Sequence, residues 1–390
     1  MTVAGATRAP PGARTYAVRA FADIADVDST EWDAILDPDD LQATHRFVSV
    51  CQRSGVEGAA YRHVMVYRGE RLAAIASFSR MDVKVDLLAT GFARAGIRWV
   101  RRHRPSFLVV PVAFCGLPVS FGQSCLRFAP GADRAVLLPI LSRELDAFGA
   151  ETEARILCFK EYAPAESVAL APLAAAGYFR APSLPSCRLT IRWSSFDEYL
   201  AAMRAGYRRQ VRASLRARAA LGLEVRVVED FGPDCPPIFG LYEQVMDRAE
   251  FQLERLNLAF FDELNARLGS QSGAVLLERR GAVAAAAVLL YGPRLVTFLL
   301  VGIDYAQNRA CHAYPNLVTE VVGEAIRRRA AALEMGQTSY DLKLRFGAVT
   351  SGRDIFVKCR RPLSHALLRA VAPALFPVAC PPARRVHRAS

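Results

Sequence analysis

In the stretch MGQTSYDLKLRFGAV (335–349), Asp341, Lys343 and Arg345 fall at every second position among apolar residues, just ahead of Gly347. A lysine in such a setting can be a ligand contact. It can equally be half of a satisfied ion pair, Asp341–Lys343 or Lys343–Glu320. The alternation of the charges with Tyr340, Leu342 and Leu344 predicts a strand with three charges on one face, led in by a turn at Gly336 and Gln337. A second set lies earlier: Arg204, Arg208, Arg212 and Arg216 recur every four residues beside Met203, Tyr207, Val211 and Leu215. On one continuous helix these guanidinium groups form a stripe able to grip phosphates bidentately, or simply a solvated face, and Gly206 can break the helix early.

Such groups need elements to place them. The first half predicts helices over 31–36 and 43–54, strands over 61–68 and 72–79 about an RGER turn, and a strand over 107–114. A helix over 135–148, the strand RILCFKEY (155–162) and a helix over 166–176 follow. GYFRAPSLP (177–185) has the proline and glycine content of a joint. Beyond it the strand CRLTIRW (187–193) leads to a helix opened by the Ser195–Glu198 capping box. A basic helix over 207–221, a strand over 223–230 and two helical stretches within 238–268 come next. Then come strands over 274–279, 283–291 and 295–303, with RRG and GPR as their turns. In the helix over 313–329, Leu317, Val318, Val321, Val322, Ala325 and Ile326 form one apolar stripe, and Glu324 can pair with Arg328. RDIFVKC (353–359) predicts the last strand.

The chain's 390 residues exceed one ordinary domain, and 52% hydrophobic residues can fill two cores. The organisation expected is a loose tail over 1–15, one domain over 16–180, a second over 186–360, and a basic tail over 361–390. Charged residues at 23% and a mean hydropathy of +0.14 suit a globular chain. The longest uncharged run (106–122) is broken by Pro111, Gly116 and Pro118 and is too short for a membrane helix, and 1–15 lacks the apolar core of a signal peptide, so a cytoplasmic protein is expected. Nine scattered cysteines without a CxxC pair suit reduced thiols, and six histidines without ligand spacing predict no metal. The absence of GxxxxGK[ST], GxGxxG and GxSxG argues against a P-loop NTPase, a dinucleotide enzyme and an α/β hydrolase. A net charge of +12 and a pI near 9.5 favour polyanions, whether nucleic acid, anionic lipid or a phosphate-bearing substrate, although an arginine-rich composition alone produces the same charge.

The two halves follow the same course, and three segments together resemble a known group. SFDEYLAAMRAGYRRQVRASLRARAALGLEVRVV (195–228) is similar to an arginine-rich helix leading to a strand, GAVAAAAVLLYGPRLVTFLLVGID (281–304) to a strand pair, and AYPNLVTEVVGEAIRRRAAALEMGQTSYDLKLRFGA (313–348) to a helix, a glycine turn and a Tyr-x-x-Lys strand. In this order they resemble the FemA, FemB and FemX group of the GNAT acyltransferase superfamily and its BioF2-like acetyltransferase relatives. The resemblance implies an α/β (α+β) fold of two tandem GNAT-like domains, each a mixed, mostly antiparallel sheet flanked by helices. It also implies attack of an amine on an activated acyl group held in the gap between two diverging strands.

In that scheme Lys343 serves the donor or the carbonyl oxygen. Asp304, Tyr305, His312, Tyr314 and Glu320 are candidates to take the amine's proton, although a lone histidine with a reference pKa near 6.5 is more often structural. Tyr207, Arg208, Arg212, Arg216, Gln337, Tyr340 and Arg345 are candidates to bind substrate. No tightly bound cofactor is implied; the acyl donor is a co-substrate. Members that use coenzyme A cradle its pyrophosphate in a glycine-containing loop, whereas DYAQNRACHAYPN (304–316) has no glycine. Aminoacyl-tRNA, which FemX-like enzymes use, therefore stands slightly ahead of acyl-CoA as donor, with a small amine or a cell-envelope precursor as acceptor. The alternative from another class is a noncatalytic protein that reads RNA or an anionic surface through its arginines.

Overall fold

The computed structural model describes residues 16–84, 99–100, 102–104, 107–119, 122–249 and 252–388, except the side chains of 309–311. The tail expected over 1–15 lies outside these residues. The strands are β1 (Tyr16–Phe21), β2 (Ala60–Arg68), β3 (Arg71–Lys84), β4 (Val109–Cys115), β5 (Leu126–Phe128), β6 (Ile156–Tyr162), β7 (Phe179–Thr190), β8 (Glu224–Val228), β9 (Ser272–Arg279), β10 (Ala282–Tyr291), β11 (Leu295–Ile303), β12 (Ala332–Gly336) and β13 (Val349–Cys359). Around them lie α1 (Ser29–Asp33), α2 (His45–Arg53), α3 (Arg134–Glu151), α4 (Pro164–Ala169), α5 (Phe196–Ala202) and α6 (Ala205–Ala220), then α7 (Cys235–Met246), α8 (Leu258–Leu268), α9 (Tyr305–Cys311), α10 (Ala313–Arg327), α11 (Tyr340–Arg345) and α12 (Pro362–Leu375).

All thirteen strands join one sheet in the order β1-β2-β3-β4-β6-β13-β7-β12-β11-β10-β9-β8, with β5 beside β3. The order reads the same from both ends: three antiparallel pairings, one parallel pairing (β4 with β6, β11 with β12), then antiparallel pairings to the middle. The two central strands are exchanged. β7, the last strand of the first half, pairs with β12, and β13, the last of the second, pairs with β6.

Local chemistry explains the parts. In β10, Ala285, Ala287 and Leu289 enter one core and Ala286, Val288 and Leu290 another, the two-residue alternation of a strand covered on both faces. Helices α5, α6 and α10 cover the first core, and α7 and α8 the second. That second core also takes Trp32, Phe47 and Val50 from the first half, with Phe47 meeting Phe260 edge-on at 6.4 Å between ring centroids. The β9–β10 turn places Arg280 at φ +51° and Gly281 at φ +77°, the left-handed pair a two-residue hairpin requires. The stripe on α10 is buried throughout, and Arg328 Nε donates to Glu324 at 2.7 Å.

Four expectations need correction. The stretch 335–349 is not one strand: β12 ends at Gly336, and α11 begins at Tyr340. Gly336, Thr338 and Ser339 take φ of +67°, +64° and +47°, which turns the chain out of the sheet, so the charges that alternate in sequence separate onto a helix. The joint at 177–185 is instead the first part of β7, whose prolines are tolerated because β12 pairs only with residues 187–190 and leaves this flank open. Arg204 stands outside α6 as its N-cap, and Gly206 sits inside the first turn without breaking it. Finally, 361–390 contains α12 and a strap whose His387 bridges Met203, with Arg204 N donating to Val386 O at 2.8 Å. The predicted cap holds, since Ser195 accepts from Glu198 N, and the Glu198 carboxylate also accepts from Ser194 N and Oγ, both at 2.9 Å.

Candidate active site

Strands β11 and β12 run parallel only from Leu295 beside Ala332 to Thr297 beside Glu334. Beyond that point β11 continues to Ile303 with Leu299 bulged out of its pairing with β10, while β12 turns away at Gly336. The opening holds a cleft of about 260 Å³. Residues 298–301 of β11 form one wall and 335–339 the other; Tyr242 and Met246 of α7 close one side, and Tyr314 of α10 stands at the other.

Lys343 reaches this cleft from α11 and is 5% exposed. Its Nζ donates to the Gln337 carbonyl at 2.9 Å. Burial pushes its pKa down to about 8, opposed by Cys187 and Glu334. Glu334, buried on β12, accepts from the Ser186 hydroxyl, and burial raises its carboxyl above the ordinary range against the pull of that bond and of Arg353, Arg188 and Lys343. The backbone around the lysine is held by side chains. A bulge in β7 leaves Leu184 and Pro185 opposite Gly352, and their carbonyls accept from Gln337 Nε2 at 2.6 Å and Tyr340 OH at 2.9 Å. The ion pairs weighed for Lys343 are made by others: Glu320 pairs with Arg218, and Asp341 with Arg345 and Arg384.

Of the other candidate residues, Gln337 and Tyr314 line the cleft with Lys343. Burial raises the Tyr314 hydroxyl to about 12, partly offset by a bond with Ser339. Asp304 is occupied as the N-cap of α9, accepting from Ala306 N at 2.9 Å and Gln307 Nε2 at 2.7 Å. His312 stands at φ +47° between α9 and α10 and faces a separate groove of about 250 Å³, which Tyr207 of α6 and Arg345 of α11 also line. Arg208 turns its guanidinium to the carbonyls of Ala201 and Met203, both at 3.2 Å, while Arg212 and Arg216 are exposed on α6. Lys343, Gln337 and Tyr314 thus meet in the cleft and Tyr207, His312 and Arg345 in the groove beside α6, whereas Asp304, Arg208, Arg212, Arg216 and Tyr340 line neither.

Glu161 is a cleft residue that the motifs in the sequence do not single out. It is buried on β6, adopts φ +70° within a bulge opposite Ile355, and accepts from Gly122 N at 3.3 Å. A left-handed glutamate inside a strand is strained and persists where its surroundings fix it. The adjacent Lys160–Glu161 charges in an otherwise apolar strand are the available signal.

Among the described residues no group of three or more histidine, cysteine or acidic side chains is placed to hold a metal, and no helix is long and apolar enough to cross a membrane. Cys51, Cys115, Cys125, Cys158, Cys187, Cys235 and Cys359 are buried free thiols, and Cys380 is exposed.

Residues 23–296 match the FemAB-like family, described as peptidoglycan biosynthesis/recognition. The chain belongs to the FemAB-like family. Two curated relatives, both named putative 8-amino-7-oxononanoate synthase 2 and both from Mycobacterium tuberculosis strains, are 26% identical over 252 residues, 63% of this chain and 32% of theirs. The FemAB-like chain therefore spans about a third of the length of these relatives. Among solved structures it resembles FemX at 11% identity (TM-score 0.57, covering 89% of this chain and 98% of that one) and a tandem GNAT protein from the clavulanic acid biosynthesis pathway at 11% identity (TM-score 0.51, 89% and 99%). It also resembles the C-terminal domain of a putative lysylphosphatidylglycerol synthetase from Agrobacterium fabrum at 13% identity (TM-score 0.52, 90% and 98%). These likenesses establish the tandem GNAT-like fold.

Proposed function

We propose that this FemAB-like protein is an acyltransferase that forms an amide by passing an acyl or aminoacyl group to an amine in the cleft between β11 and β12. The observation that carries this reading is the buried Lys343 ammonium in a cleft at the point where the parallel pair opens. One N–H of that ammonium is committed to Gln337 O, which leaves two for an anionic group or a developing oxyanion. Holding amine and acyl carbon together supplies much of the acceleration without a covalent intermediate, and the bulge at Leu299 offers a backbone amide beside the cleft.

Aminoacyl-tRNA is the favoured donor. Arg212 and Arg216 are exposed on α6, on the side turned away from the groove that Tyr207 and Val211 line, and each phosphate neutralised there would release counterions. The family description favours a peptidoglycan precursor amine as acceptor, with a small metabolite amine as the alternative. Acyl-CoA is the second donor, supported by the fold shared with a tandem GNAT protein and weakened by the glycine-free loop at 304–316. Titrating the protein with charged tRNA, uncharged tRNA and acyl-CoA at two salt concentrations separates these readings. Preference for charged over uncharged tRNA supports aminoacyl transfer; saturable acyl-CoA binding with charge-independent, salt-labile tRNA association overturns it in favour of acyl-CoA.

A further inference from the structure

Another space, between the two halves of the chain, is left unused by this reading. About 240 Å³ lies between one face of β4, β6 and β13 and the inner side of α12. Val112, Phe114, Cys158, Val357, Leu368 and Leu375 make its wall chiefly apolar. An apolar wall of this kind favours an apolar guest, because lining atoms without partners forfeit their dispersion contacts.

Three observations indicate what such a guest is. Glu161 and Leu253 line both this space and the Lys343 cleft, so the two share a wall at the polar end of the apolar one. At that end Lys160 is 4% exposed, with its Nζ 3.5 Å from the Pro118 carbonyl, at the long limit of a hydrogen bond, and 5.0 Å from the Phe114 ring centroid. Gly116 makes room for it, since a Cβ there would stand 2.9 Å from Lys160 Cε. Helix α12, the roof, is apolar on both sides: Leu368 and Leu375 turn inward, whereas Leu363 and Leu367 are 87% and 67% exposed among the exposed Arg361 and Arg369. A helix with bare leucines and arginines on its outer side is suited to lie on an anionic lipid surface.

We propose that this cavity holds an unbranched alkyl chain, with its oxygen-bearing head, a thioester carbonyl or a lipid phosphate, at Lys160 and directed toward the Lys343 cleft. The chain belongs either to a membrane lipid or to the acyl group of a soluble donor. The head's direction rests on the transferase reading; chain binding does not.

The test is a titration of the full chain with CoA thioesters from butanoyl to tetradecanoyl, with CoA alone, and with phosphatidylglycerol and phosphatidylcholine vesicles. Affinity for a chain is expected to rise by up to roughly fourfold per methylene until the cavity is full, then level off. Cys158→Phe and Leu368→Trp should each weaken long-chain binding about tenfold while leaving CoA binding unchanged. Leu368→Trp, on a surface helix, carries the test if the strand variant does not fold. Cavity-dependent binding of thioesters assigns the chain to a donor, and cavity-dependent binding of phosphatidylglycerol vesicles assigns it to a lipid. Thioester affinity independent of chain length together with phosphatidylglycerol binding no stronger than phosphatidylcholine binding, or wild-type binding of both probes by a folded cavity variant, overturns the proposal. Because chain binding is read without turnover, intact chain binding with no transfer activity would overturn the transferase reading alone.

Discussion

Lys343 is the residue on which the proposed chemistry turns. Its ammonium loses a proton near pH 8 in the folded protein, against an ordinary lysine value of 10.5. Between those values the unfolded chain holds more protons, so this group makes stability rise with pH across that window. The cost of burying the charge, roughly 3 kcal/mol, is fully present below about pH 8 and relieved by about pH 10.5. Lys343→Met should therefore flatten the rise in urea midpoint between pH 8 and pH 10 relative to wild type; identical slopes would show that the lysine is not desolvated. Sequence alone marks this lysine as chemically interesting but does not separate a ligand contact from an ion pair. The deciding contact, Gln337 O, depends on a turn through three left-handed residues, two of them not glycine, which no periodicity announces.

The same turn governs the elements around the site. A Cβ added at Gly336 would meet nothing within 4 Å, so Gly336→Ala tests its φ of +67° alone and should lower stability by about 1 kcal/mol by chemical denaturation. An unchanged midpoint would mean that the turn relaxes. Helix α6 makes a separable prediction. Arg212 and Arg216 are exposed, and reversing both to glutamate should leave the thermal midpoint within a degree or so while weakening tRNA binding at least about tenfold and flattening its salt dependence. Unaltered binding would remove α6 from the donor path. Long, strongly periodic elements such as α10 and the β9–β10–β11 meander are legible because burial imposes a repeat on their sequence. The β7 start and α11 are not, because one is a strand open on a flank and so rich in proline, and the other is a six-residue helix whose alternating charges imitate a strand. Glu161 escapes a reading of the sequence because its strain comes from a bulge, which single-sequence patterns do not register.

Across the whole molecule, the palindromic strand order has a thermodynamic consequence. With β13 lodged between β6 and β7, and with Phe47 packed on Phe260, neither half completes its sheet or core alone. Calorimetry should give one cooperative transition, with calorimetric and van't Hoff enthalpies agreeing; two resolved transitions would show that the halves fold independently. The exchange also sets the site's position. β7, contributed by the first half, supplies the carbonyls that anchor Gln337 and Tyr340, and β6 carries Glu161 to the cleft of the second.

The most direct test of the central claim is single-turnover acyl transfer to an amine by wild type and Lys343→Met between pH 6.5 and pH 9. The wild-type rate is expected to be highest while Lys343 is charged and to fall as pH passes about 8, and the variant to be slower by at least about a hundredfold with donor affinity nearly retained. A variant that transfers at the wild-type rate with the same pH profile would contradict this role and remove Lys343 from the chemistry.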